Sequence, residues 1–323
     1  MTALRTETSM NGWWDFRPDL SEEGKHHREP GDIPTDGWLP ERILVPGSWT
    51  RGGDPTQEQA PERRPWETFR IFDSFGYPAE WDETNTAWYR RTFTLDEIRS
   101  DRRYFLHFGG VLRYAWYFVN GQCVGRSTDG ILPSEHDVTD AIRSGENELV
   151  VFVTDYERNE KGKTFVPVGS DQTIRQRGIW QDVYLRGRPE VCVSDVTIRT
   201  STRREELTVI LELTNASDRS RTVRPELSVR ECGGLVALTF AHEPVTLAPG
   251  GRETVELTRT WSSYLPWSPE SPNLYFLATR LTEDGAAVDA REDRFGFREV
   301  WVEGHRVMLN GRPVHMSGEW CHK

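Results

Sequence analysis

Aromatic residues crowd one stretch of this chain: Trp66, Phe69, Phe72, Phe75, Tyr77 and Trp81 all fall within residues 65–81. A pyranose ring has an apolar face that stacks on such side chains, and apolar surface carried on a loop must be covered or used. Two outcomes are open for this stretch: stacking on a bound sugar, or packing onto its own domain or a neighbouring subunit. Thirteen Trp in 323 residues pose the same choice for the whole chain, because a Trp serves equally well as core. Other chemistries lack their residues. The sequence contains no His-Glu-x-x-His, no Gly-x-Ser-x-Gly, no phosphate loop and no dinucleotide fingerprint. His26 and His27 are adjacent, without the spacing of a helical metal pair. Neither a cofactor nor a metal is expected.

Composition narrows the partners. Acidic residues number 51 against 40 basic ones, a formal charge of −11, which disfavours binding to a phosphate backbone. No apolar run reaches membrane-spanning length. The first fifteen residues lack the apolar core of a secretory signal. The expectation is a cytoplasmic globular protein that binds neither nucleic acid nor membrane, with a homo-oligomer left open. Cys123, Cys192, Cys232 and Cys321 lie far apart, which reads as reduced, mostly buried thiols.

The elements that must position any site are strands. Helical periodicity is nearly absent, and short β-type runs alternate with Gly, Pro, Asn and Asp. Residues 1–189 contain many such runs with long loops between them, the pattern of a jelly-roll β-sandwich. Residues 190–294 carry about seven alternating strands, the pattern of an immunoglobulin-like sandwich without its Cys…Trp…Cys signature. Two Asn-Gly pairs, Asn120-Gly121 and Asn310-Gly311, sit between apolar runs and predict tight hairpins. The second hairpin opens residues 295–323, whose last strand should feed a crossover helix and further strands.

The order of short motifs resembles the N-terminal part of glycoside hydrolase family 2, the β-galactosidase, β-glucuronidase and β-mannosidase group. Val45-Pro46-Gly47-Ser48-Trp49, Trp88-Tyr89-Arg90-Arg91-Thr92-Phe93, Phe108-Gly109-Gly110-Val111 and Gly145-Glu146-Asn147-Glu148-Leu149 match its first domain in sequence. Gly178-Ile179-Trp180-Gln181-Asp182-Val183 is similar to the motif closing that domain, and Trp267-Ser268-Pro269-Glu270-Ser271-Pro272-Asn273-Leu274-Tyr275 to that of the next. Phe295-Gly296-Phe297-Arg298 and Leu309-Asn310-Gly311-Arg312-Pro313-Val314 resemble the start of a (β/α)8 barrel.

The resemblance implies a retaining β-glycosidase acting on a carbohydrate through two carboxylates about 5 Å apart. It also implies that both catalytic glutamates lie beyond Lys323, so no catalytic residue is assigned within the chain. His322 stands where relatives carry a pocket-lining His, although Trp320-Cys321 and Lys323 depart from the usual neighbours. Asp171 falls near a position where a jelly-roll loop reaches the active site, although Arg175 and Arg177 share its loop. With Trp66 and Trp81 these form the candidate substrate contacts. Asn147-Glu148 and Asn159-Glu160 match part of the family's acid/base motif but read as surface turns. The alternative functions are a stand-alone carbohydrate-binding sandwich or an oligomerisation module.

Overall fold

A computed structural model describes residues 4–21, 29–49, 77–78, 80–81, 84–154 and 177–316. Every regular element among them longer than a single turn is a β-strand, and no helix is long and apolar enough to cross a membrane. The chain divides into two compact units, one made of residues 7–187 and the other of residues 1–6 with 188–323.

The first unit carries β1 (Thr6–Ser9), β2 (Gly12–Pro18), β3 (Arg42–Val45), β4 (Thr86–Leu95), β5 (Arg102–Phe108) and β6 (Val111–Leu112). It continues with β7 (Tyr114–Val119), β8 (Gln122–Ser127), β9 (Ser134–Asp137), β10 (Gly145–Thr154), β11 (Gly178–Ile179) and β12 (Val183–Pro189). Four of these form one sheet in the order β1-β12-β5-β9, and six form another in the order β3-β2-β4-β10-β7-β8. Alternation explains how they face each other: Tyr104, Leu106 and Phe108 of β5 point inward, as do Val183 and Leu185 of β12. Strand β10 departs from alternation. Leu149, Val151 and Val153 enter the sandwich core, while Val150 and Phe152 join Trp88 and Phe118 on the opposite face, covered by Ile33 and Trp38. A strand buried on both faces needs a continuous apolar run, and residues 149–153 supply one.

The second unit holds β13 (Val191–Ser201), β14 (Glu206–Asn215), β15 (Arg221–Glu231), β16 (Val236–Ala241), β17 (Val245–Leu247), β18 (Arg252–Thr260), β19 (Tyr275–Glu283) and β20 (Ala286–Phe295). Its sheets run β13-β14-β18 and β16-β15-β19-β20, with β17 also paired to β15. Between them Leu207, Val209, Leu211 and Leu213 of β14 meet Leu227, Val229, Leu277 and Leu281. Arg5 belongs to this unit. Its guanidinium donates to both oxygens of the fully buried Asp289 (2.8 and 2.6 Å) and to the Val193 carbonyl (2.7 Å), while Asp289 also accepts from the Val193 amide. The Asp289 carboxylate holds the Arg5 guanidinium above its ordinary value against the opposing effect of burial.

A three-stranded meander follows: β21 (Val300–Glu303), β22 (Arg306–Leu309) and β23 (Arg312–Val314). Both Asn-Gly hairpins form where the sequence places them. Asn120 and Gly121 have φ of 49° and 85°, Asn310 and Gly311 51° and 82°, the left-handed pair that a type I′ turn requires. Two expectations fail. Among the described cysteines Cys123 and Cys232 are exposed and Cys192 alone is buried, because the first two lie on or beside hairpins rather than on a core face. Asn147 is no surface residue: it is fully buried, accepts from the Arg143 amide and Asn120 Nδ2, and donates to Arg143 and Gly145 carbonyls. A buried amide here satisfies three backbone groups and one side-chain donor, and that is why an Asn sits at this turn.

Candidate functional site

The described residues that flank 50–76 and 155–176 meet at one end of the first sandwich. Thr154, the last residue of β10, pairs with Thr86 on one side and Tyr114 on the other. Residues 46–49 and 177–179 then bind each other. The Gly47 amide donates to the Ile179 carbonyl (2.8 Å), the Trp49 amide to the Arg177 carbonyl (3.2 Å), and the Arg177 amide to Ser48 Oγ (3.1 Å). Arg177 Nη1 and Trp49 Nε1 both donate to the Thr84 carbonyl, at 3.2 and 3.4 Å. Gly178 makes this closeness possible. Its φ is +125°, and a Cβ there would lie 2.6 Å from Tyr89 Oη and 3.0 Å from the Gly47 carbonyl oxygen.

Beneath these stems lies a nest of rings. Trp49, Trp81, Phe16 and Tyr89 are each less than 2 % exposed. Trp81 sits 4.6 Å from Phe16 and stacks on Tyr77 at 5.0 Å between centroids, and the Tyr77 hydroxyl accepts from the Leu44 amide at 2.7 Å. Burial pushes the Tyr89 phenol well above its ordinary value and raises that of Tyr77. Trp81 therefore belongs to the core of the sandwich. The expectation that it touches a sugar is corrected: a ring sealed from solvent on all sides has no face left for a ligand. Of the two outcomes open for the aromatic stretch, Tyr77 and Trp81 take packing.

The same end carries a second, described loop, residues 128–133. Asp129 accepts from the Ile131 and Leu132 amides at 2.9 and 3.0 Å, which lowers its carboxyl below the ordinary range, and Trp180 Nε1 donates to the Gly130 carbonyl at 2.8 Å. Held in this way, Ile131 and Leu132 stand exposed. This end can present loops and offer apolar contact. Among the described residues no group of three or more His, Cys, Asp or Glu is placed to hold a metal. Asp171, His322, Trp66 and Asn159-Glu160 lie outside the described residues. Sequence reading took Ser48 only as part of a motif and Arg177 only as a loop charge, and it passed over Thr84; a Gly in each stem, Gly47 and Gly178, was the available signal for their contact.

The profile described as "Glycosyl hydrolases family 2, sugar binding domain" matches residues 8–189, and the one described as "Glycosyl hydrolases family 2" matches residues 191–298. The chain belongs to glycoside hydrolase family 2. Its relatives within this family include a β-galactosidase of Priestia megaterium, 27% identical over 319 residues, covering 96% of this chain and 30% of the relative. A β-galactosidase of Streptococcus thermophilus is 28% identical over 280 residues, covering 85% of this chain and 26% of the relative. The chain thus spans under a third of the length of these relatives. Among solved structures, a Bacteroides uniformis β-glucuronidase superposes with a TM-score of 0.71 at 19% identity, covering 96% of this chain and 34% of that one. A Bifidobacterium dentium β-glucuronidase complexed with coumarin-3-O-glucuronide gives 0.68 at 20%, covering 97% and 51%. At such identities the likeness concerns the fold. The two stems, residues 46–49 and 177–179, overlap the sequence motifs at 45–49 and 178–183 that carried the resemblance, and both lie within the matched range 8–189.

Proposed function

We propose that this chain is the N-terminal portion of a retaining β-glycosidase whose two catalytic carboxylates lie outside residues 1–323. The observation that carries the reading is the succession of two family 2 profiles, residues 8–189 and then 191–298, filling nearly all of the chain in family order. On this reading the loop-bearing end of the first sandwich forms one wall of a sugar site, with Asp171 and Trp66 as substrate contacts. The second sandwich acts as a spacer, and residues 295–323 begin a (β/α)8 barrel in which His322 lines the pocket. Chemistry in such a barrel comes from strand ends and the loops that follow them. Hydrolysis with retention needs a nucleophile and an acid/base carboxylate about 5 Å apart, and neither is assigned here.

The test is direct. The purified 323-residue chain, assayed with nitrophenyl β-galactoside and β-glucuronide, is expected to show no turnover above a buffer control. Turnover by this chain alone would sink the assignment of the carboxylates to residues elsewhere. A second reading, a stand-alone carbohydrate-binding sandwich, draws on the description of the first profile as a sugar binding domain. It predicts saturable binding of a glycan by residues 1–323, which the first reading does not require.

A further inference from the structure

Two strand edges in the second unit face each other without pairing. Strand β13 ends the three-stranded sheet and β20 ends the other. Up to Ser194 side chains plug the gap: Asp289 accepts from the Val193 amide, Arg5 donates to the Val193 carbonyl, and Arg291 Nη1 donates to the Ser194 carbonyl at 3.2 Å. The plugging resumes at Thr200, whose Oγ1 donates to the Arg298 carbonyl at 2.6 Å and accepts from the Arg298 amide at 3.2 Å, which leaves residues 195–199 of β13 between the two plugs. Among the described residues no backbone hydrogen bond joins β13 to β20, and the edges flank a cleft of about 600 Å³. Unpaired edge strands offer donors and acceptors to any extended chain that can reach them.

The side chains around the cleft alternate in a telling way. Val196, Ile198 and Phe295 point inward and are only partly covered, each packed against the core of the unit yet open toward the cleft. Arg199, Arg294 and Arg298 are exposed along the same cleft. The two lining carboxylates are already neutralised. Asp293 accepts both arms of Arg291, at 2.8 and 2.7 Å. Glu299 accepts from Arg203 Nε (2.8 Å), the Arg203 amide (3.1 Å) and Ser201 Oγ (3.0 Å). Arg298 lies over the Trp267 ring at 4.4 Å, while Arg199 and Arg294 make no ion pair among the described residues. In a chain of net charge −11 this is a local cation excess above a half-covered apolar floor.

We propose that the cleft is a strand-addition site for an extended peptide segment that alternates acidic and apolar side chains. A strand sends successive side chains to opposite faces. One register would therefore lay its apolar residues on Val196, Ile198 and Phe295 while its carboxylates reach Arg199 and Arg294. Its backbone would pair with an edge that lacks a partner.

The probe is a fluorescein-labelled Glu-Val-Glu-Val-Glu-Val peptide titrated with the full 323-residue chain and read by fluorescence anisotropy. Saturable binding is expected, weakened about tenfold or more in Arg199→Glu/Arg294→Glu. The control Arg126→Glu/Arg259→Glu makes the same charge change elsewhere and should leave binding within about twofold. A peptide N-methylated at alternate amides should bind at least about tenfold more weakly, because pairing to the edge is lost. Melting curves of each variant establish that it is folded. Absence of saturable binding, equal loss in both charge variants, or equal binding of the N-methylated peptide overturns the proposal. So does binding of a galacturonate oligomer in the cleft where the peptide fails, which would assign the arginines to acidic sugars.

Discussion

The two sandwiches solve one architectural problem with different materials. In the first, Trp14, Phe16, Trp49, Trp81, Tyr89, Phe108 and Tyr117 fill the space between the sheets. In the second, Val and Leu on β14, β15 and β19 do so, and rings gather at one place, Trp261, Tyr264, Tyr275 and Phe297. In the second unit short turns join long strands at residues 202–205 and 216–220, on either side of the 10-residue β14 and before the 11-residue β15, while residues 261–274 between β18 and β19 carry the rings Trp261 and Tyr264. In the first, the rings Trp49, Trp81 and Tyr89 are buried where the described chain meets residues 50–76 and 155–176. Large rings at the root of such segments give each a wide buried contact per residue and fix where it leaves the sheet. Aliphatic ladders suffice where no loop must be aimed. The contrast teaches that aromatic content here follows loop anchoring before it follows sugar contact.

The strongest way to break that contrast is Trp81→Ala. Removing a fully buried Trp should cost about 3–5 kcal/mol, read as a lower urea midpoint of the first unit by tryptophan fluorescence. If instead stability is unchanged and only glycan binding falls, the ring is a ligand platform and the comparison is wrong. Next in size is Arg5→Met. Deleting one partner of a buried pair leaves the Asp289 carboxylate uncompensated, so the second unit should lose about 3 kcal/mol in calorimetry while the first keeps its transition. Equal loss in both units would show that the pair does not belong to the second unit alone.

Acid separates the units more gently. His136 packs on Tyr117 at 4.4 Å, and burial lowers its pKa from the ordinary 6.5, with Glu135 partly opposing. A neutral imidazole favoured in the folded state stabilises above 6.5, and that contribution is lost as pH falls below it. His136→Asn should flatten the decline in the melting temperature of the first unit between pH 7 and 5. Glu299 works lower down. Arg203 and the Ser201 hydroxyl hold its carboxyl at about 2 against the opposing effect of its burial, from an ordinary 4.5. Its stabilisation is therefore present above 4.5 and is lost as pH drops toward 2. Glu299→Gln should remove that acid-limb slope from the second unit.

Much of this molecule was legible in its residues. The two Asn-Gly turns, the alternation in β5 and β14 and the doubly buried run of β10 follow from local rules of backbone and side-chain direction, which sequence carries in full. Motif order alone indicated the family. Burial was harder to read. Asn147 looked like a surface group because a polar residue at a turn is usually exposed, and for Trp81 sugar contact and packing were both open. Each is buried because distant segments fold over it: residues 120 and 141–143 around Asn147, and residues 16, 44 and 77 around Trp81.

What the sequence determined by itself was strand, turn and family, since each depends on neighbours within a few residues or on motif order. Tertiary structure alone decided which groups meet. Arg5 finds Asp289 across 284 positions, Trp49 meets Arg177 across 128, and the edges of β13 and β20 face each other unpaired. Contacts of that range depend on how two sheets close over one core, and no local pattern encodes it.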